Sequence, residues 1–259
     1  MTANAKPAIL IVHGGWHVPE SYAKLTAALE ATGYEVHVPR LPSVNDARPP
    51  TADLSTDTAY LRDCATRLVE AGRTLVAVMH SYGGHVGTNA LYGLGAPARS
   101  AQGLTGGISS LIYLTAYAVP AGQAMVDTVN RFGHADLIPL AFDCAADDTC
   151  VPRDPRGMLT GPGCSDAETD AYLRTLVRWN GRCMYQPSEH CAWRDGGIAV
   201  AYIYTTKDAT VPVDYQRSFA EGMEREGVRV RTFELATGHC PNLTATEGVV
   251  DAINKVVSG

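Results

Sequence analysis

No run of about 18–20 apolar residues occurs in this chain, so no membrane-spanning helix is expected. A basic block is missing too. The 21 Lys and Arg face 27 Asp and Glu, a net charge of −6, which leaves nucleic-acid binding without an electrostatic footprint. The sequence holds no H-E-x-x-H, no C-x-x-C pair and no carboxylate cluster, and so gives no grounds for a resident metal. Internal repeats and low-complexity tracts are likewise missing. What remains is 259 residues of ordinary globular composition, 46% hydrophobic and 19% charged, long enough to bury a sizeable core as one large domain.

Seven cysteines stand in the chain, and five of them (Cys144, Cys150, Cys164, Cys183, Cys191) fall close together. An odd total argues against a full disulfide framework. The simpler reading is buried or half-buried thiols, and the other is a Cys144–Cys150 bridge across a small loop. The start, Met1–Lys6, is polar, and the apolar run Ala8–Val12 is too short for the core of a signal peptide. An intracellular, cytoplasmic protein is the expectation.

The chain is organised around Leu75-Val76-Ala77-Val78-Met79-His80-Ser81-Tyr82-Gly83-Gly84. An apolar β-branched run stops at His80-Ser81, a glycine-rich turn follows, and a small-residue segment reads as a helix. That is the layout of a nucleophile elbow, a serine on a tight strand-to-helix turn. The usual pattern is G-x-S-x-G, and Met79 stands where its first glycine would be.

Around the elbow the chain alternates. Ala8–Val12 reads as a buried strand, ending in His13-Gly14-Gly15-Trp16-His17, and Pro19 opens a helix stopped by Gly33. A second strand is expected over Tyr34–Leu41, a helix over Asp57–Ala71 and a third strand over Thr74–Met79. After the elbow helix and a Gly/Ser/Ala-rich connection, Gly93–Gly107, a fourth strand is expected over Ile108–Leu114. This rhythm predicts an α/β fold, a mostly parallel central sheet flanked by helices. It breaks at Val119-Pro120-Ala121-Gly122. Residues 119–197, rich in Pro, Gly, Asp and Cys with a helix around Ala167–Arg178, read as an inserted cap over the C-terminal edge of the sheet, where open α/β sheets bind ligands. The core is then 1–118 with 198–259, which resumes with strand Ala199–Thr205, helix Val213–Arg225, strand Val228–Leu235 and helix Thr244–Val257.

Three chemistry-bearing residues fall just past strand ends: Ser81, Asp208 in Thr205-Thr206-Lys207-Asp208, and His239 in Thr237-Gly238-His239-Cys240-Pro241. Parallel strands deliver these ends to one edge. A serine needs an imidazole to take its proton and a carboxylate to orient that imidazole. Asp208 could instead cap its own turn, and Asp214 is the rival acid, although it lies inside the next helix. An oxyanion needs two backbone donors, expected from Tyr82 N–H and from Gly15 N–H of the first turn. Trp16 and His17 are candidates to line the pocket, as are Tyr117, Trp179, Tyr185 and Trp193; each has core packing as its alternative. His80 should point away from Ser81, and His13 should order its loop.

The segments Leu10–His17, His80–Gly84, Tyr113–Gly122 and Gly238–Pro241 resemble the α/β-hydrolase superfamily over essentially the whole chain. The resemblance is to its small capped branch of methylesterases and hydroxynitrile lyases, with bacterial and fungal esterase relatives. It implies a triad of Ser81, Asp208 and His239 with oxyanion donors Gly15 and Tyr82. The lyases of this group place a threonine after the first-strand histidine and a lysine after the catalytic histidine. Here those residues are Gly14 and Cys240. Without that lysine no cation is there to hold a departing cyanide, and lyase activity of that kind is disfavoured.

The expectation is a cofactor-free, metal-free serine esterase or lactonase acting on a small, largely apolar molecule, with a homodimer left open. Two rivals stand beside it: a non-hydrolytic enzyme using the same triad, such as a C–C lyase or cyclase, and a slow-turnover ligand-binding protein.

Overall fold

Alternate side chains of each central strand part to opposite faces and are buried in two separate cores. Leu10, Ala77, Leu111 and Tyr202 enter one core, while Ile9, Val76, Ile112 and Ile203 enter the other. That two-sided burial is why these strands read as continuous apolar runs. The structure is a computed structural model, and it describes residues 6–161 and 163–259. The polar start before residue 6, and Pro162 within the expected cap, lie outside the described residues.

In chain order the strands are β1 (Ala8–Val12), β2 (Val36–His37), β3 (Thr74–His80), β4 (Gly107–Leu114), β5 (Phe142–Cys144), β6 (Thr149–Pro152), β7 (Trp179–Asn180), β8 (Ala199–Thr205) and β9 (Val230–Leu235). The helices are α1 (Ala23–Ala31), α2 (Leu54–Glu70), α3 (Tyr82–Ala90), α4 (Ala96–Ala101), α5 (Met125–Arg131), α6 (Ile138–Ala141), α7 (Asp166–Leu173), α8 (Val213–Arg225), α9 (Pro241–Thr244) and α10 (Thr246–Val257). Six strands form one sheet in the order β2-β1-β3-β4-β8-β9, and every pairing is parallel. Helices α1 and α10 cover one face; α2, α3 and α8 contribute to the core of the other. No helix among the described residues is long and apolar enough to cross a membrane.

Several element bounds differ from the sequence expectation, each for a local reason. β2 is only two residues long, because Pro39 has no N–H to extend the ladder and Leu41 N–H donates to His13 Nε2 at 2.9 Å. α2 begins at Leu54, since the Asp53 carboxylate caps it by accepting from Thr56 N–H. α7 stops at Leu173, and Val177 N–H donates instead to Trp16 C=O. The Gly93–Gly107 connection contains the short α4. β9 begins at Val230, because Val228 N–H donates to Met223 C=O in the turn after α8. The last helix is divided at Ala245 into α9 and α10.

Between β4 and β8 the chain leaves the main sheet. It builds a three-stranded antiparallel sheet, β5-β6-β7, that sequence periodicity did not reveal. The strands are too short for alternation to be legible. Cys144 and Cys150 are disulfide-bonded across the β5–β6 hairpin, their Cα atoms 4.2 Å apart. The simpler expectation of thiols throughout is therefore corrected for this pair. Cys64, Cys164, Cys183, Cys191 and Cys240 are free, the last three buried.

Candidate active site

β3 delivers Ser81 to the C-terminal edge of the sheet with φ 54° and ψ −123°, a conformation L-residues rarely adopt. Surrounding contacts hold it. Ser81 C=O accepts from Gly84 N–H at 3.0 Å and from Tyr117 N–H at 3.1 Å, tying the exit of β4 to the elbow. A Cβ on Gly83 would overlap the carbonyl oxygens of Val12 and His13, so the turn passes β1 at a distance only glycine allows. Met79 is accommodated by Gly87: its Sδ occupies the space a Cβ at Gly87 would need. The missing first glycine of the elbow is thus compensated one helical turn further on.

Ser81, His239 and Asp208 come together. The Ser81 hydroxyl and His239 Nε2 are 2.9 Å apart, and His239 Nδ1–H donates to Asp208 Oδ2 at 2.7 Å. The carboxylate can only accept, so the proton sits on Nδ1 and leaves Nε2 free to take one from serine. Asp208 is itself fixed by four further donors. Thr115 Oγ1 (2.5 Å) and Thr205 Oγ1 (3.0 Å) reach Oδ2, while the amides of Thr210 (2.7 Å) and Val211 (2.8 Å) reach Oδ1. The rival, Asp214, lies in the first turn of α8. Gly15 and Tyr82 both line the cavity above Ser81, and neither amide has a hydrogen-bond partner among the described residues.

The histidines around the triad are buried and neutral. Burial pushes His17 down to about 3 and His13 down to about 4, and holds His80 well below the ordinary imidazole range. His13 Nδ1–H donates to Gly14 C=O while Nε2 accepts from Leu41, which orders the loop. His17, expected at the pocket, does not reach it. The left-handed backbone at Trp16 (φ 64°) turns Trp16 into the cavity and His17 behind the Gly15 turn. There His17 Nδ1–H donates to Gly15 C=O at 2.6 Å, and Nε2 faces Cys240 Sγ at 3.5 Å.

Trp16, Tyr117 and Trp179 line the cavity. Trp193 does not, and that expectation is corrected. It lies on the short turn Ala192–Arg194, buried beside Phe219 and Met223 at a separate depression, with the Arg194 guanidinium over its ring. Tyr185 is exposed on the outer surface of the inserted segment.

The cavity itself measures about 110 Å3. Most of its wall is apolar, supplied by residues between β4 and β8 such as Met125, Ile138, Phe142 and Met184, and among the described residues no Asp, Glu, Lys or Arg lines it. Sequence reasoning missed these residues, because they sit on short turns with no readable period. It also missed Asp57. This buried carboxyl, pushed up to about 6 by burial, accepts from the Tyr82 hydroxyl at 2.7 Å and from Ser43 N–H at 2.8 Å, anchoring the ring of an expected oxyanion residue. In sequence it is only the first residue of an expected helix, and nothing there ties it to Tyr82.

Residues 9–252 match the Alpha/beta hydrolase family. The chain belongs to that family. Among curated members it is 28% identical to the "Probable hydrolase R7" of Phoma sp. (strain ATCC 20986 / MF5453), over 97% of this chain and 98% of that protein. Among solved members, polyneuridine aldehyde esterase superposes with a TM-score of 0.75 at 17% identity, covering 97% of this chain and 99% of that one. The pyrethroid hydrolase PytH superposes with a TM-score of 0.73 at 20% identity, over 98% of both chains. At these identities the structural likeness shows the hydrolase fold alone, and what the site does follows from its own residues.

Proposed function

We propose that this chain is a serine hydrolase cleaving a carboxylic ester or lactone of a small, neutral, largely apolar molecule through an acyl-enzyme on Ser81. The observation that carries the reading is the hydrogen-bonded series Ser81–His239–Asp208 at the floor of a cavity without charged walls. In this mechanism His239 Nε2 takes the Ser81 proton as Oγ attacks the carbonyl carbon. The amides of Gly15 and Tyr82 bind the oxyanion, and His239 returns the proton to the departing alkoxide. Water, deprotonated by the same nitrogen, then attacks the acyl carbon, and Ser81 regains its proton as the acid leaves.

The neutrality of the substrate follows from the walls. A carboxylate or ammonium taken into this cavity would lose water and gain no partner of opposite charge, at a cost of several kcal/mol. Cyanohydrin cleavage of the lyase kind is disfavoured for a related reason. Cys240 is a buried neutral thiol, its pKa raised by burial, so it offers no cation beside His239.

Intact mass after treatment with a fluorophosphonate tests the reading. One adduct on the natural protein, absent in Ser81→Ala, is the expected result, followed by turnover of neutral aryl or alkyl esters. No adduct on the natural protein would overturn it.

A further inference from the structure

Polar groups gather at one part of the cavity wall. Tyr117 is 6% exposed and lines the cavity, yet its hydroxyl has no hydrogen-bond partner among the described residues. Tyr117 packs on Phe219 of α8 (ring centroids 5.6 Å), one helical turn from Tyr215, so the two tyrosines meet one face of that helix. The Tyr215 hydroxyl lies 2.8 Å from His134 Nδ1, and the two rings stack with centroids 5.7 Å apart. Tyr215 and His134 also line the cavity, and His134 Nε2 has no partner among the described residues. Two phenols and an imidazole therefore gather at one wall, while Trp16, Phe142 and Trp179 pack together elsewhere around the same space.

The Tyr117 hydroxyl opens onto the cavity without a partner, so an acceptor carried by a bound molecule would take its hydrogen bond. Tyr117 is held as a neutral donor, its pKa raised first by burial and then by the neighbouring Tyr215 phenol and Asp208. Nothing in the triad chemistry uses it, since its hydroxyl bonds none of Ser81, His239 or Asp208.

We infer that Tyr117, with the Tyr215–His134 pair, forms a subsite for one uncharged oxygen acceptor, a keto or ether oxygen carried on the apolar body of the substrate away from the scissile carbonyl. This inference rests on the hydrolase reading for the word substrate, while the subsite itself is a matter of binding. The class it defines is an apolar ester or lactone with a second, neutral oxygen function.

Binding to the Ser81→Ala protein separates the two. The probes are 4-phenylbutan-2-one, 5-phenylpentan-2-one and 6-phenylhexan-2-one, each against the phenylalkane of equal carbon count, followed by fluorescence of the cavity residues Trp16 and Trp179. At least one ketone is expected to bind about tenfold more tightly than its hydrocarbon, the yield of one well-made buried hydrogen bond. Adding Tyr117→Phe should reduce that preference to within about twofold, and Tyr215→Phe should weaken it in part. No favoured ketone, or a preference that survives Tyr117→Phe, would overturn the subsite. A ketone preference in Ser81→Ala together with no fluorophosphonate adduct on the natural protein would remove the hydrolase reading and keep the subsite; an adduct on the natural protein without the preference in Ser81→Ala would do the reverse.

Discussion

His80, the residue immediately before the expected nucleophile, donates its Nε2–H to the main-chain carbonyl of His239 at 2.7 Å. Its other nitrogen, Nδ1, accepts from the Tyr22 hydroxyl at 2.5 Å, and that hydroxyl accepts from Gly14 N–H at 3.1 Å. The turn after β1, the elbow and the histidine loop are thereby joined through one buried ring of fixed tautomer.

Replacing that ring should disturb catalysis without touching substrate. His80→Ala leaves the His239 carbonyl and the donor proton of the Tyr22 hydroxyl buried and unpaired, a loss of about 1–3 kcal/mol in stability. In steady-state kinetics kcat should fall by roughly tenfold or more while KM changes little, because His239 loses its register with Ser81. Unchanged kcat in a folded variant would show that the histidine loop holds itself.

The pairing of Met79 with Gly87 predicts a non-additive double-mutant cycle. Gly87→Ala drives a methyl group into the Met79 side chain and should cost about 1–3 kcal/mol by overpacking. Met79→Ala alone opens a cavity worth about 2–5 kcal/mol. Combined, the new methyl occupies part of the vacated space, so urea unfolding should show a loss smaller than the sum. Strict additivity would mean that the two sites do not share that space.

Acid should destabilise the fold well before carboxylates generally titrate. His13 and His85 are lowered to about 4 and His17 to about 3 by burial, whereas an unfolded histidine titrates near 6.5. As pH falls below about 6.5, the unfolded chain binds protons that the folded protein does not, and each such group removes about 1.4 kcal/mol per pH unit until its folded pKa is reached. Asp57 acts oppositely. Its folded pKa of about 6 lies above the ordinary carboxylate value of about 3.8, so between those values the folded state holds the extra proton and acidification restores some stability. Three histidines outweigh one carboxyl, and the urea midpoint should fall steadily from pH 7 to pH 5. A flat midpoint would show that these imidazoles protonate inside the fold.

The amino-acid sequence determined much of the catalytic edge. Continuous apolar runs such as Ala8–Val12 and Thr74–Met79 announce strands buried on both faces. Parallel strands carry the residues after them to one edge, so the order Ser81, Asp208, His239 already implied their convergence. Fixed covalent spacing from a strand end does that work, and little else is needed.

Tertiary structure alone decided the rest. Asp208 is held by Thr115, distant in sequence, and the Tyr82 ring by Asp57, which sequence places in an ordinary first helical turn. One left-handed residue, Trp16, chose which of two neighbouring aromatic side chains faces the cavity. Trp193 went to another surface, where it shares a depression with Phe219 and Met223 of α8 rather than facing Ser81. The short strands and turns between β4 and β8 carry no period to read, and their disulfide depended on a hairpin that only pairing creates. Local pattern specifies which face of a strand or helix is buried. Which distant groups then meet across a cavity depends on packing among segments that have no pattern of their own.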